Sequence, residues 1–105
     1  MYGTVYRMRV RPGQEQAMFE LTRRWNVERA PHVGGYIGEY IYRLDSAPQE
    51  YIGVVLFESR EAYMKNADDP EQDRLYQEWR AFLESDPEWH DGEVVFTWPP
   101  GARPS

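Results

Sequence analysis

Apolar and polar positions along the chain change period several times, and each change marks an element. From residue 2 to residue 10 the pattern alternates, with Tyr2, Thr4, Tyr6, Met8 and Val10 on one side, as a strand requires. Pro12-Gly13 ends that run. A helix is then predicted to about Ala30, with Ala17, Met18, Leu21 and Trp25 as its buried stripe and Glu15, Glu20, Arg23, Arg24 and Glu28 toward water. Pro31 and Gly34-Gly35 close the helix and turn the chain. Residues 36–44 read as a second strand and Glu50 to Phe57 as a third. The polar turn Asp45 to Gln49 between them is short enough for an antiparallel hairpin.

In the second half, Ser59 is placed to cap a short helix through Ala67. Asp69-Pro70 opens a longer one, with Gln72 at capping-box spacing. Leu75, Trp79, Phe82 and Leu83 form its apolar face. Asp86 to Gly92 leads into a last predicted strand, Glu93 to Trp98, which Pro99-Pro100 ends. The order is β-α-β-β-α-β, an α+β, ferredoxin-like unit with a four-stranded antiparallel sheet. One domain is expected over residues 1–98, with residues 99–105 as a mobile C-terminal tail.

The strands carry apolar residues on both faces. Tyr51, Val55 and Phe57 oppose Ile52, Val54 and Leu56, and Tyr36, Tyr40, Tyr42 and Leu44 oppose Ile37 and Ile41. Helices cover one face only, and the other would be a larger apolar surface than soluble monomers leave bare. A second copy packed face to face buries it, so a homodimer is expected.

Composition narrows the chemistry. The 105 residues suit one domain, and 41% hydrophobic content suits a folded one. There is no cysteine, which excludes disulfides, iron–sulfur clusters and thiolate zinc sites. A formal charge of −6 argues against nucleic acid and anionic membrane surfaces as partners. Lys65 is the only lysine, and its neighbours Asn66, Asp68 and Asp69 do not suggest a desolvated Schiff-base amine. Neither a signal-peptide pattern nor a membrane-length apolar run is present, and a cytoplasmic location is expected.

Several motifs carry a family resemblance over nearly all of residues 2–98. They are the first strand running into Arg11-Pro12-Gly13-Gln14-Glu15, the passage from Pro31 to Gly34-Gly35-Tyr36, Phe57-Glu58-Ser59-Arg60-Glu61-Ala62-Tyr63, and the Asp69-Pro70 helix start. On these the chain resembles the dimeric α+β-barrel proteins of the antibiotic-biosynthesis monooxygenase type. The resemblance implies cofactor-free oxidation of phenolic polyketides by O₂ or, in one branch, oxidative haem degradation. Active members commonly carry a Trp on the short helix after the third strand, but residues 60–66 hold none. The haem branch has a ligand His on the long helix and an Asn on the first strand. Residues 70–84 contain no His, Tyr76 stands near its place, and the strand lacks the Asn. Haem degradation is therefore disfavoured.

The expected function is a cofactor-independent monooxygenase acting on a small aromatic phenol, needing neither flavin nor metal. The alternative is a non-catalytic dimeric module, binding or stress-related, that holds a small apolar molecule. The catalytic candidates are His32 as base, Arg7 or Asn66 to stabilise an anion or peroxide, and Tyr76 at the cavity roof. Trp79, Tyr6 and Trp25 are candidates for binding substrate. Each has a plainer reading: His32 as a helix C-terminal cap, Trp79 as core, and Tyr6, Arg7, Tyr40 and Tyr42 as interface packing. His90, within Glu88-Trp89-His90-Asp91, matches no familiar metal spacing and reads as a surface loop.

Overall fold

The computed structural model describes residues 1–100. The mobile tail expected beyond Pro100 lies outside the described residues. The elements are β1 (Tyr2–Arg9), α1 (Glu15–Arg24), β2 (Tyr36–Leu44), β3 (Ala47–Phe57), α2 (Arg60–Ala67), α3 (Pro70–Arg80) and β4 (Glu88–Glu93). All pairings are antiparallel and the strand order is β2-β3-β1-β4. This is the expected ferredoxin-like α+β arrangement.

The alternation in β1 holds. Thr4, Tyr6, Met8 and Val10 are buried beneath the helices, while Val5, Arg7 and Arg9 are exposed on the opposite face. Tyr6, Met8, Val10, Met18, Tyr51 and Leu83 form the core. Both helix starts are capped as expected. Ser59 accepts from the Ala62 N–H at 3.1 Å and Asp69 from the Glu71 N–H at 2.9 Å.

Four features differ from the sequence expectation. The helix after Pro12-Gly13 does not stay α-helical to Ala30. It widens into a π turn over Trp25–Arg29 and tightens into a 3₁₀ turn over Ala30–His32, which turns the Trp25 and Asn26 side chains toward the sheet side of the helix end. The hairpin turn is only Asp45-Ser46, because Leu44 already pairs with Ala47.

Strict alternation also fails in β2. Tyr36 pairs with Phe57 but Gly38 with Leu56, so Ile37 is the extra residue of a bulge. Tyr36 consequently lies on the helix side, packed on Phe57 and Trp25, whereas Tyr40 and Tyr42 lie on the open side.

The last strand is Glu88–Glu93, not Glu93 to Trp98. The reason is length: Glu88 pairs with Arg7 and Glu93 with Tyr2, so β1 is used up, and only the Val94 N–H still reaches the Met1 carbonyl at 2.9 Å. Val95, Phe96 and Trp98 have the stronger strand propensity but overhang the end of their partner and are exposed.

The open face holds rows running across the sheet. One is Tyr40-Val54-Val5-His90 and the next is Tyr42-Ile52-Arg7-Glu88. Val5, Tyr40 and Tyr42 are 44%, 49% and 52% exposed there. Among the described residues, no helix is long and apolar enough to cross a membrane.

Candidate active site

The helix face of the sheet is the floor of a cavity of about 450 Å³, within the range of small-molecule sites. One floor row is Glu39-Val55-Thr4-Asp91 and the next is Ile41-Gly53-Tyr6-Trp89. Leu21 and Trp25 from the first helix, Asn66 from α2 and Gln72, Tyr76 and Trp79 from α3 close it from above.

One wall is an aromatic cluster. The Tyr6 ring meets Trp79 edge-on at 5.6 Å and lies tilted against Trp89 at 5.1 Å, and Tyr76 packs tilted on Trp79 at 5.9 Å. The opposite wall is Trp25, Phe57 and Tyr63, and Tyr36 joins it by packing between Trp25 and Phe57, each ring 5.0–5.6 Å from the next. Such edge-to-face pairs hold rings in fixed orientation beyond the area they bury. Gln72 does not complete the capping box. Its Oε1 instead accepts the Trp25 indole N–H at 3.1 Å, tying the end of the first helix to α3.

Glu39, on the edge strand β2, anchors a hydrogen-bond network on the floor. The Tyr6 hydroxyl donates to Glu39 Oε2 at 2.9 Å and Asn26 Nδ2 to Glu39 Oε1 at 3.2 Å. Asn26 Oδ1 in turn accepts from the Tyr36 hydroxyl at 2.6 Å. Burial raises the Glu39 carboxyl above the ordinary range, and the hydrogen bonds from Tyr6 and Asn26 pull it partly back. Burial, then the Glu39 charge, pushes Tyr6 and Tyr36 well above the usual tyrosine value. Tyr63 is raised by burial and by its 2.9 Å bond to Asp91, and Tyr76 by burial and Asp86. These four hydroxyls therefore stay protonated near neutral pH and act as donors, not bases.

Asn66 Oδ1 is buried without a hydrogen-bond partner, an arrangement that costs free energy until a donor meets it. Among the described residues lining the cavity none is Lys, Arg or His. Nor do the described residues bring three or more His, Asp or Glu together as a metal would need.

Of the candidates named from sequence, Tyr6, Trp25, Asn66, Tyr76 and Trp79 meet at this cavity. Arg7 and His32 do not. Arg7 is on the open face, bonded to Glu50 Oε1 at 3.1 Å, and His32 is exposed in the 3₁₀ turn. His90 is exposed in β4, 2.9 Å from Glu88 Oε1. Sequence reasoning missed Glu39, Asn26 and Trp89. Glu39 had a signal: a carboxylate two residues from both Ile37 and Ile41 interrupts an apolar strand face.

No protein-family model matches the chain, and no curated protein matches it. Solved structures do. SnoaB, a cofactor-independent oxygenase from Streptomyces nogalater, is 16% identical with a TM-score of 0.77, the match covering 93% of this chain and 96% of that one. An antibiotic biosynthesis monooxygenase is 15% identical with a TM-score of 0.71, covering 90% and 99%. A conserved protein from Methanosarcina mazei is 13% identical with a TM-score of 0.74, covering 87% and 89%. At these identities the likeness is one of fold, and fold alone does not carry activity. This chain therefore has the fold of the antibiotic biosynthesis monooxygenase structures over most of its length.

Proposed function

We propose that this protein is a cofactor-independent monooxygenase that oxidises a small planar phenol or enol with O₂. The observation that supports this best is the cavity itself: two aromatic walls around a floor that carries a hydrogen-bonded carboxylate. Trp25, Trp79 and Tyr6 would sandwich the ring system, and Asn66 and Tyr76 would hydrogen-bond its oxygen or a peroxide. Loss of the substrate proton makes an electron-rich anion, which passes one electron to O₂; recombination gives a carbon-bound peroxide. For an anthrone reacting as its enol, the O–H bond and one C–H bond break, one oxygen atom becomes the new carbonyl, and the other leaves as water with those two hydrogens. The four electrons all come from the substrate, so no external reductant enters.

The working unit in this reading is a cytoplasmic homodimer, with a second copy on the open face. Exposed Val5, Tyr40 and Tyr42 and the overhanging Val95, Phe96 and Trp98 support it, because together they leave a large apolar area uncovered.

Oxygen-electrode traces with a panel of anthrones and naphthols test the activity. Substrate-dependent uptake is expected. Binding without uptake would instead favour a dimeric small-molecule-binding module on the same cavity.

A further inference from the structure

We propose that Glu39 takes the hydroxyl proton of the substrate and, through its charge, admits uncharged phenols in preference to carboxylated ones. This deepens the oxygenase reading and rests on it for the proton-transfer role; the charge selectivity stands apart from turnover.

The geometry suits the task. Both Glu39 oxygens accept one hydrogen bond, from Tyr6 and from Asn26. An ionised carboxylate has about four acceptor sites, so lone pairs remain for a ligand hydroxyl. The carboxylate is therefore held in place without being used up. Tyr6 and Asn26 are positioning residues.

Charge balance makes the same point. Among the described residues, the titratable groups that share the cavity with Glu39 or interact with it are Tyr6 on β1, Tyr36 on β2, Tyr63 on α2, Asp73 and Tyr76 on α3, and Asp91 on β4. None is cationic. A phenolate formed with its proton lost to bulk water would face an ionised Glu39 across a poorly solvated space, and like charges there repel strongly. Transfer to Glu39 avoids this. The phenol O–H bond breaks, a Glu39 O–H bond forms, and the cavity charge does not change. The neutral acid then donates to the phenolate and finally returns its proton to the departing oxygen as water forms. The raised Glu39 carboxyl brings its basicity nearer to working pH, as a general base requires. A ligand carboxylate would add a second anion with no cation to meet it.

Two readouts on Glu39→Gln test the proposal. In the first, quenching of tryptophan fluorescence compares 1-naphthol with 1-hydroxy-2-naphthoate. Wild type should prefer the naphthol by about tenfold or more, and the variant should narrow that gap several-fold. An unchanged gap would overturn the selectivity. In the second, oxygen uptake by the variant should fall about 10²-fold or more at neutral pH. It should recover as pH rises through the ionisation of the substrate itself, which removes the need for a base. A rate within about threefold of wild type at neutral pH, or a loss that high pH does not relieve, would overturn the proton role. If Glu39→Gln does not fold, Glu39→Asp keeps both tests open: it should retain the naphthol preference and an intermediate rate, and loss of either would count against the proposal. Absent uptake in wild type with the naphthol preference still dependent on Glu39 would sink the oxygenase reading and the proton role while leaving selectivity standing.

Discussion

The ring of Tyr6 lies directly over Gly53. A Cβ at residue 53 would fall 2.1 Å from Tyr6 Cζ and 2.3 Å from its hydroxyl oxygen. The missing side chain lets Tyr6 lean along its floor row far enough to reach Glu39, which lies two strands away on β2. Glycine is required here for space, not for backbone conformation.

Gly53→Ala should therefore displace Tyr6 and break its bond to Glu39, destabilising the fold by about 1–3 kcal/mol. Gly92→Ala is the control, because a Cβ there meets nothing within 4 Å; it should stay within about 0.5 kcal/mol of wild type. Urea denaturation of the two variants measures the contrast. Equal effects would mean that Tyr6 has room to move aside.

Glu39 should leave a pH signature on stability. Its folded-state carboxyl is raised above 4.5, chiefly by burial. Its favourable contribution is therefore fully present below that value and is lost as pH rises through the folded-state value. Glu39→Gln cannot titrate. The stability difference between variant and wild type should thus move in favour of the variant from about pH 4 to about pH 8. Denaturation curves across that range check the sign, and a difference that moves the other way would contradict a buried, raised carboxyl.

The Trp25 indole N–H to Gln72 is a side-chain tie between the end of the first helix and α3. Trp25→Phe removes the donor and keeps an aromatic ring against Tyr36. A loss of about 0.5–1.5 kcal/mol is expected for one hydrogen bond, read from thermal or urea unfolding. Gln72→Leu in the same background should add little further, since the bond is already gone.

Charges placed on the open face should separate the proposed dimer. Val5→Glu with Tyr42→Glu puts acidic groups on adjacent rows of that face and leaves the cavity side untouched. Light scattering should report a dimer for wild type and a monomer for the double variant. A monomeric wild type at micromolar concentration would remove the case for the second copy.

Much of this was legible in the residues. The alternation of β1, the Ser59 and Asp69 caps and the apolar stripes of the helices place every element except the last strand. That strand lay hidden because its position is set by its partner: Glu88–Glu93 is polar, yet it has β1 beside it, whereas Val94 to Trp98 has the better propensity and no strand to pair with. The bulge at Ile37 is equally non-local, and it is what carries Tyr36 across to the cavity side. For the site, aromatic residues at strand and helix spacing led to Tyr6, Trp25 and Trp79, and the family resemblance drew attention to Tyr76. His32 drew attention as a residue type suited to acting as a base, but a turn at the helix end leaves it exposed. Glu39 was marked by a charge in an apolar face. Its partners Tyr6 and Asn26 come from elements far off in sequence, and only the folded chain brings them together.

Turnover under isotope-labelled O₂ tests the central claim most directly. With an anthrone that supports uptake, one O₂ should be consumed per product, and each product should carry one labelled oxygen atom while the other appears in water. Product without label, or no uptake across the panel, would contradict an oxygenase at this cavity.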